Sequence, residues 1–392
     1  MSPQRSSRRR AAPRARTRTA FPWGARWFLV LTSALTALVV WLAWSVGSAL
    51  TAPGNDPVAA RLAEWARDHG MAVLVLALEK LNYDVHQPRV GGTPSLRVLQ
   101  AGDAQGSHRH ARSTVALQSR MRPIVSPPLP HEGSWRVLVS VHHQPAVQAA
   151  YVRPDPQHTS YLTGVAWLSH RLLRFELHPG WDQPGGTWRV PDWIAPGRRR
   201  GLAATWNGAF KLGDAHGGFY LDGRTVGTLR RGAASEVFYR NGSMTVGSWG
   251  KEVRMTPSVV GVRQNLGMLI DHGRIAGNVT NNVEFNWGLT LGGAYYIFRS
   301  GVGVTRQGDV VYASGDALSA YTLARVLKRA GCVRAMELDI NPAWVSFMSY
   351  HAGSHPARPT PRLLLPDYQR PANRYFTHTS RDFVAAYARP GR

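Results

Sequence analysis

Apolar positions along the chain first run without a break and later alternate. Trp27 to Leu50 is 24 residues with no charged side chain, and about 20 suffice to cross the hydrocarbon layer of a bilayer. The run is longer than the ~7–15-residue apolar core of a signal peptide. It predicts one transmembrane helix, with Trp23 and Trp27 at one interface and Trp41 and Trp44 at the other. Small residues at Gly47 and Ala49 leave cleavage after Ala49 as the alternative. Residues 51–83 predict a juxtamembrane helix from 56 onward, with Asp56 as its cap, Pro57 in the first turn, and Leu62, Trp65 and Ala66 on one face. Its stretch MAVLVLAL is too short to span again.

Residues 84–134 lose the pattern. Pro, Gly, Ser and Arg dominate, with little to bury, so this stretch is expected to be an extended or disordered linker. From Trp135 the pattern turns to period two. Residues 136–142, 147–153, 161–168 and 171–177 read as successive strands, and Asn241-Gly242 and His272-Gly273 as hairpin turns. Ala317–Ala330 carries Leu323, Val326, Leu327 and Ala330 on one face and ends at Gly331, which predicts a helix. Strands first and one helix late give an α+β class: a β-rich mixed domain over 135–392 with one prominent helix, behind a transmembrane helix.

Charge adds an orientation. The first 26 residues hold eight Arg and no acid, a flank that stays cytoplasmic, so the main domain is expected outside the cytoplasm. The net charge is +24, but a third of it lies in that tail. Residues 135–392 hold 30 basic and 16 acidic side chains without long runs, which weakens a nucleic-acid reading and favours anionic envelope polymers as partners. One cysteine, Cys332, excludes an internal disulfide and reads as a small core residue.

Candidate chemistry is sparse. In a strand Met336–Ile340, period two places Glu337 and Asp339 on one face and Met336, Leu338 and Ile340 on the other. Two carboxylates that close raise one pKa, which suits an acid paired with a base. Glycine-flanked turns at Asn207-Gly208-Ala209-Phe210 and Arg299-Ser300-Gly301-Val302-Gly303 expose backbone N–H groups, and an adjacent Arg can clamp a phosphate. HExxH and cysteine-rich patterns are absent, so no metal or cofactor is expected, and without GxSxG a serine-hydrolase elbow is unsupported. The pair His108 and His110 lacks a third ligand at suitable spacing. His142 and His143 would point to opposite faces of a strand.

The order of these motifs resembles the phosphodiester glycosidases, a family similar to the lysosomal uncovering enzyme that removes N-acetylglucosamine from a sugar-1-phosphodiester. WNGAFKL and GGFYLDGR (206–224), residues 298–316, 319–331 and 335–340 carry the resemblance, which covers roughly residues 160–390. Asn207 matches the Asn of the family's Asn-Gly-Gly-Phe turn, Arg299 and Gly303 its Arg-Thr-Ala-Ile-Gly segment, and Asp339 the Asp of its Leu-Asp-Gly-Gly motif. The resemblance implies that these residues line the pocket. The family's Gly and Ser run is replaced by Ile340-Asn341-Pro342-Ala343-Trp344. There Pro342 offers no N–H, Asn341 can donate from its side chain, and Trp344 can stack on a sugar.

The expectation is therefore a membrane-anchored, extracytoplasmic glycosidase that cuts a sugar-1-phosphodiester in an anionic glycopolymer. Asp339 would be acid/base or ring-hydroxyl binder, Glu337 the second carboxylate, Arg299 the phosphate clamp and Asn207 a sugar or phosphate ligand. The alternative is a non-catalytic envelope-polysaccharide-binding protein, and 340–344 is the segment that would separate the two.

Overall fold

A computed structural model describes residues 23–100, 117–280, 287–288 and 295–391. The basic tail before Trp23 and the pair His108 and His110 lie outside these. The chain divides into two compact units, 1–52 and 53–392.

In the first unit, helix α1 (Trp23–Leu50) runs for 28 residues without an acidic side chain. From Arg26 it is long and apolar enough for a membrane span or a signal sequence.

The second unit opens with α2 (Val58–Ala66) and α3 (Ala72–Val85). The expected single helix breaks because Gly70 takes φ 79°, a left-handed conformation that other residues rarely adopt. Asp56 is not a helix cap. Its carboxylate instead pairs with Arg370 and accepts from Ser380 Oγ at 2.7 Å, which ties this segment to the far end of the chain. On α3, Val73, Leu74, Leu78 and Leu81 remain exposed.

The rest is three antiparallel sheets. The first has eight strands: β1 (Arg136–Val141), β2 (Gln144–Val152) and β3 (Thr163–Leu168), then β14 (Val310–Leu318), β13 (Ile297–Thr305), β15 (Cys332–Glu337), β11 (Met268–Asp271) and β12 (Arg274–Ile275). The second orders β7 (Arg224–Val226), β6 (Phe219–Leu221), β10 (Val259–Asn265), β8 (Ala234–Tyr239) and β9 (Met244–Ser248). The third orders β17 (Thr360–Leu363), β16 (Phe347–His351), β5 (Leu202–Asn207), β18 (Phe383–Ala388) and β4 (Leu173–His178).

The predicted helix is α4 (Ala320–Arg329), with Ser319 and Thr322 forming a reciprocal capping box. It buries Leu323, Val326 and Leu327, each worth about 1.5–3 kcal/mol relative to exposure. Gly301 lets it settle on β13, since a Cβ there would sit 3.2 Å from both Leu323 and Leu327. Cys332 is buried in the same cluster, as expected.

Three further expectations change. His142 and His143 are the two-residue turn between β1 and β2, at φ 50° and 62°. Both residues take positive φ, so the pair ends a strand instead of sharing one. The strand expected at Met336–Ile340 runs from Cys332 to Glu337. Residues 117–134 are packed chain: Glu132 is fully buried and takes Arg153 Nη2 at 2.9 Å, and Trp135 Nε1 donates to Ser119 O at 3.0 Å. The Pro and Gly there shape turns around a buried ion pair.

Candidate functional site

The site forms where β5, β15 and β18 come together. Phe383, at the start of β18, pairs with Asn207, at the end of β5. In β15, Glu337 pairs with Gly301 of β13, and Leu338 N still donates to Ser300 O at 2.9 Å. One residue later the chain leaves β13, because Asp339 N donates to Gly208 O at 3.1 Å. That switch carries Asp339 to the turn after β5.

Asn207 fixes this junction. Its Oδ1 accepts from Tyr312 OH at 2.9 Å and from Ser346 N at 3.0 Å. Its Nδ2 donates to Ser300 Oγ at 3.0 Å and Gly208 O at 2.9 Å. An amide has two acceptor sites and two donors, so Asn207 is fully used as a structural tie and has no group left for a ligand. Ser300 Oγ in turn donates to Asp339 O at 2.7 Å.

At Gly208 a Cβ would fall 2.1 Å from Asp382 Oδ2, so only glycine fits. Asp382 holds Arg263 in a fork, Nε to Oδ2 at 2.8 Å and Nη2 to Oδ1 at 3.1 Å. Arg263 also donates to Phe210 O and, at 2.8 Å, to Gln264 O. Opposite Arg263 in the ladder stands Glu236, whose carboxyl oxygens have no hydrogen-bond partner. Burial, with Asp382 adding to it, pushes Glu236 up to about 8 despite Arg263, so it is a neutral acid at pH 7.

The two expected carboxylates lie at this junction in different company. Glu337 Oε1 takes Arg299 Nη1 at 2.6 Å, and Arg299 also donates to Leu318 O and Trp287 O. Burial raises Glu337 to about 7, Arg299 opposes the rise, and Asp339 adds to it. Asp339 Oδ1 accepts from Asn341 N at 2.9 Å. Burial raises Asp339 to about 6, opposed by Arg381 and the Asn341 N–H and supported by Glu64 and Asp382. Arg299, expected as a phosphate clamp, is the buried counterion of Glu337. Gly303 makes room for strand packing, since a Cβ there would lie 2.7 Å from Cys332 Sγ and Arg334 O. Asn341 Oδ1 is engaged by Ala343 N at 2.9 Å. The Trp344 ring is 2% exposed, with guanidiniums around it, so it is no open platform for a sugar.

Cations that the motif reading missed complete the site. Arg381 Nη2 donates to Glu64 Oε1 of α2 at 3.3 Å. Lys211, just past the Asn207–Phe210 turn, pairs with Glu64 and with Asp68 at 3.2 Å. Asp182 is raised by burial against the pull of Arg381 and Lys211. No motif joins these residues. The visible signal was three Arg, at 370, 374 and 381, just before the apolar strand Phe383–Ala388. Among the described residues Glu252, Asp271 and His272 bring ligand atoms close enough for a metal ion, but between the loop after β9 and the β11–β12 turn and not among these carboxylates. The open depression lined by Tyr239, Arg240, Asn241 and Ser258 lies at the β8–β9 turn and carries none of these groups.

No family model and no curated protein matches the chain. Among solved structures it is similar to the zebrafish N-acetylglucosamine-1-phosphodiester alpha-N-acetylglucosaminidase catalytic domain, auto-inhibited by its pro-peptide. That likeness has a TM-score of 0.41 and 13% identity, over 66% of this chain and 88% of the other. A hypothetical protein from Synechocystis matches with a TM-score of 0.35 and 12% identity, over 63% of each chain. These are partial likenesses of chain path, and the chemistry here stands on the residues of this chain.

Proposed function

We propose that the chain is a glycosidase that hydrolyses a sugar–phosphodiester bond in an anionic glycopolymer outside the cytoplasm, held there by α1. The observation that supports it most is Asp339, a carboxylate raised to about 6 by burial, beside Arg381 and a second carboxylate, Glu337. Glycosidases place two carboxylates at the scissile bond. A phosphate leaving group is weakly basic, so its departure needs cations more than a proton.

In this reading ionised Asp339 takes a proton from the water that attacks the anomeric carbon. The bond from that carbon to the phosphate oxygen breaks, and the phosphomonoester leaves with the bonding pair, its charge met by Arg381 and Lys211. Glu337, anchored by Arg299, is the second carboxylate. Because Asp339 acts ionised, turnover falls as pH drops below about 6. Release of free sugar from an N-acetylglucosamine-1-phosphodiester, followed from pH 4 to 8, tests this. A rate that rises toward pH 4 contradicts it.

One observation favours the second reading, a polymer-binding protein without turnover. Asp339 is 5% exposed and Glu64 is seated on the adjacent cations. Polymer binding with no released sugar would establish that reading.

A further inference from the structure

Three arginines stand around the Trp344 ring, their guanidinium carbons 5.5 Å (Arg370), 5.6 Å (Arg374) and 5.1 Å (Arg381) from its centroid. All four side chains are more than nine-tenths buried. Buried donors are nearly always hydrogen-bonded, yet here Nε and Nη1 of Arg370, Nε of Arg374, Nε and Nη1 of Arg381, and Nε1 of Trp344 have no partner. The bonds that do exist match the charges of Arg370 and Arg381 but not that of Arg374. Arg370 Nη2 meets Asp56 and Asn55, and Arg381 Nη2 meets Glu64. Arg374 Nη1 reaches only Trp344 O at 2.5 Å and Ser346 Oγ at 2.8 Å, with no carboxylate among the described residues.

We infer that Arg370, Arg374, Arg381 and the Trp344 indole N–H form a binding site for the phosphoryl group of an anionic ligand. These six donor nitrogens exceed the roughly four acceptor positions of a carboxylate. A phosphoryl group brings three strong acceptor oxygens, and guanidinium forks match it in pairs. Arg381 borders Asp339 as well, so the site adjoins the reacting carboxylate. The inference extends the glycosidase reading and takes from it only the place of the sugar.

The full chain in detergent micelles is melted in inorganic phosphate, in N-acetylglucosamine 1-phosphate and in chloride at matched ionic strength, and phosphate affinity is read by 31P line broadening. Both phosphates are expected to raise the melting temperature by several degrees over chloride. Arg374→Gln is expected to weaken phosphate tenfold or more. Should that variant not fold, Arg374→Lys, which keeps the charge but loses the planar fork, is expected to weaken it several-fold. No stabilisation beyond chloride, or unchanged affinity in the folded variant, overturns the site. Phosphate binding without sugar release from any phosphodiester leaves this site standing and removes the glycosidase reading. Sugar release that phosphate does not inhibit does the reverse.

Discussion

Two groups of buried arginines lie in this fold, and their donors are satisfied to different extents. Arg263 and Arg299 each meet one carboxylate, at 2.8 Å and 2.6 Å, and spend their remaining bonded donors on backbone carbonyls. Arg370, Arg374 and Arg381 crowd one indole and keep five of their N–H-bearing nitrogens unpartnered. A buried charge is tolerated when it is paired and costs several kcal/mol when it is not. The first group is explained by the fold alone. The second has donors in excess of what the fold uses, and such an excess points to a ligand.

The largest effect that sharpens this contrast is at Arg263. Arg263→Met strands Asp382 beside neutral Glu236 and is expected to cost about 3–5 kcal/mol in urea denaturation. Arg374→Gln, which loses two hydrogen bonds but relieves an unmatched charge, is expected to stay within about 1.5 kcal/mol of the wild type. Equal losses at the two positions would break the comparison.

Next comes Glu236. Its folded carboxyl titrates at about 8 against an ordinary 4.5, so the folded chain keeps a proton that the unfolded chain releases in between. Stability therefore falls as pH rises through that window. Glu236→Gln removes the Glu236 share of the slope and leaves that of Glu337 and Asp339, and the variant is expected to gain a few kcal/mol at pH 8 over the wild type, a gap that closes below pH 4.5. Denaturation midpoints across pH 4–8 check it, and parallel curves contradict it.

Smaller effects separate packing from chemistry. Gly303→Ala overpacks β13 against Cys332 and is expected to cost about 1–3 kcal/mol, with KM unchanged in the folded fraction. A raised KM at full stability would return Gly303 to the ligand. Ser319→Ala removes the α4 cap and is expected to cost about 1 kcal/mol in thermal unfolding, with phosphate affinity unmoved.

The parts of the fold written in short-range pattern were legible. Asn241-Gly242 and His272-Gly273 do form hairpin turns, α4 lies inside its expected bounds, and the class is β-rich with few helices. Failures came where tertiary contacts outweigh local pattern. His142-His143 turns with residues that are not usual turn formers, and Asp56 leaves its helix for Arg370. At the site, Glu337 and Asp339 were visible because they lie two residues apart in the sequence, although β15 ends at Glu337 and Asp339 follows it. The charged groups around Asp339 were not, because Glu64, Lys211 and Arg381 come from segments more than 100 residues apart. Asn207 and Gly303 were picked out by a motif whose residues here hold strands together.

The central claim rests on Asp339, and the most direct measurement is sugar release from an N-acetylglucosamine-1-phosphodiester by the full chain beside Asp339→Asn. The two side chains are nearly isosteric, so melting temperatures are expected to agree within a few degrees. Loss of a positioned acid–base group costs roughly 100-fold or more, and the variant is expected to fall at least that far. Turnover unchanged in a folded Asp339→Asn protein would contradict the assignment of this carboxylate to the reaction.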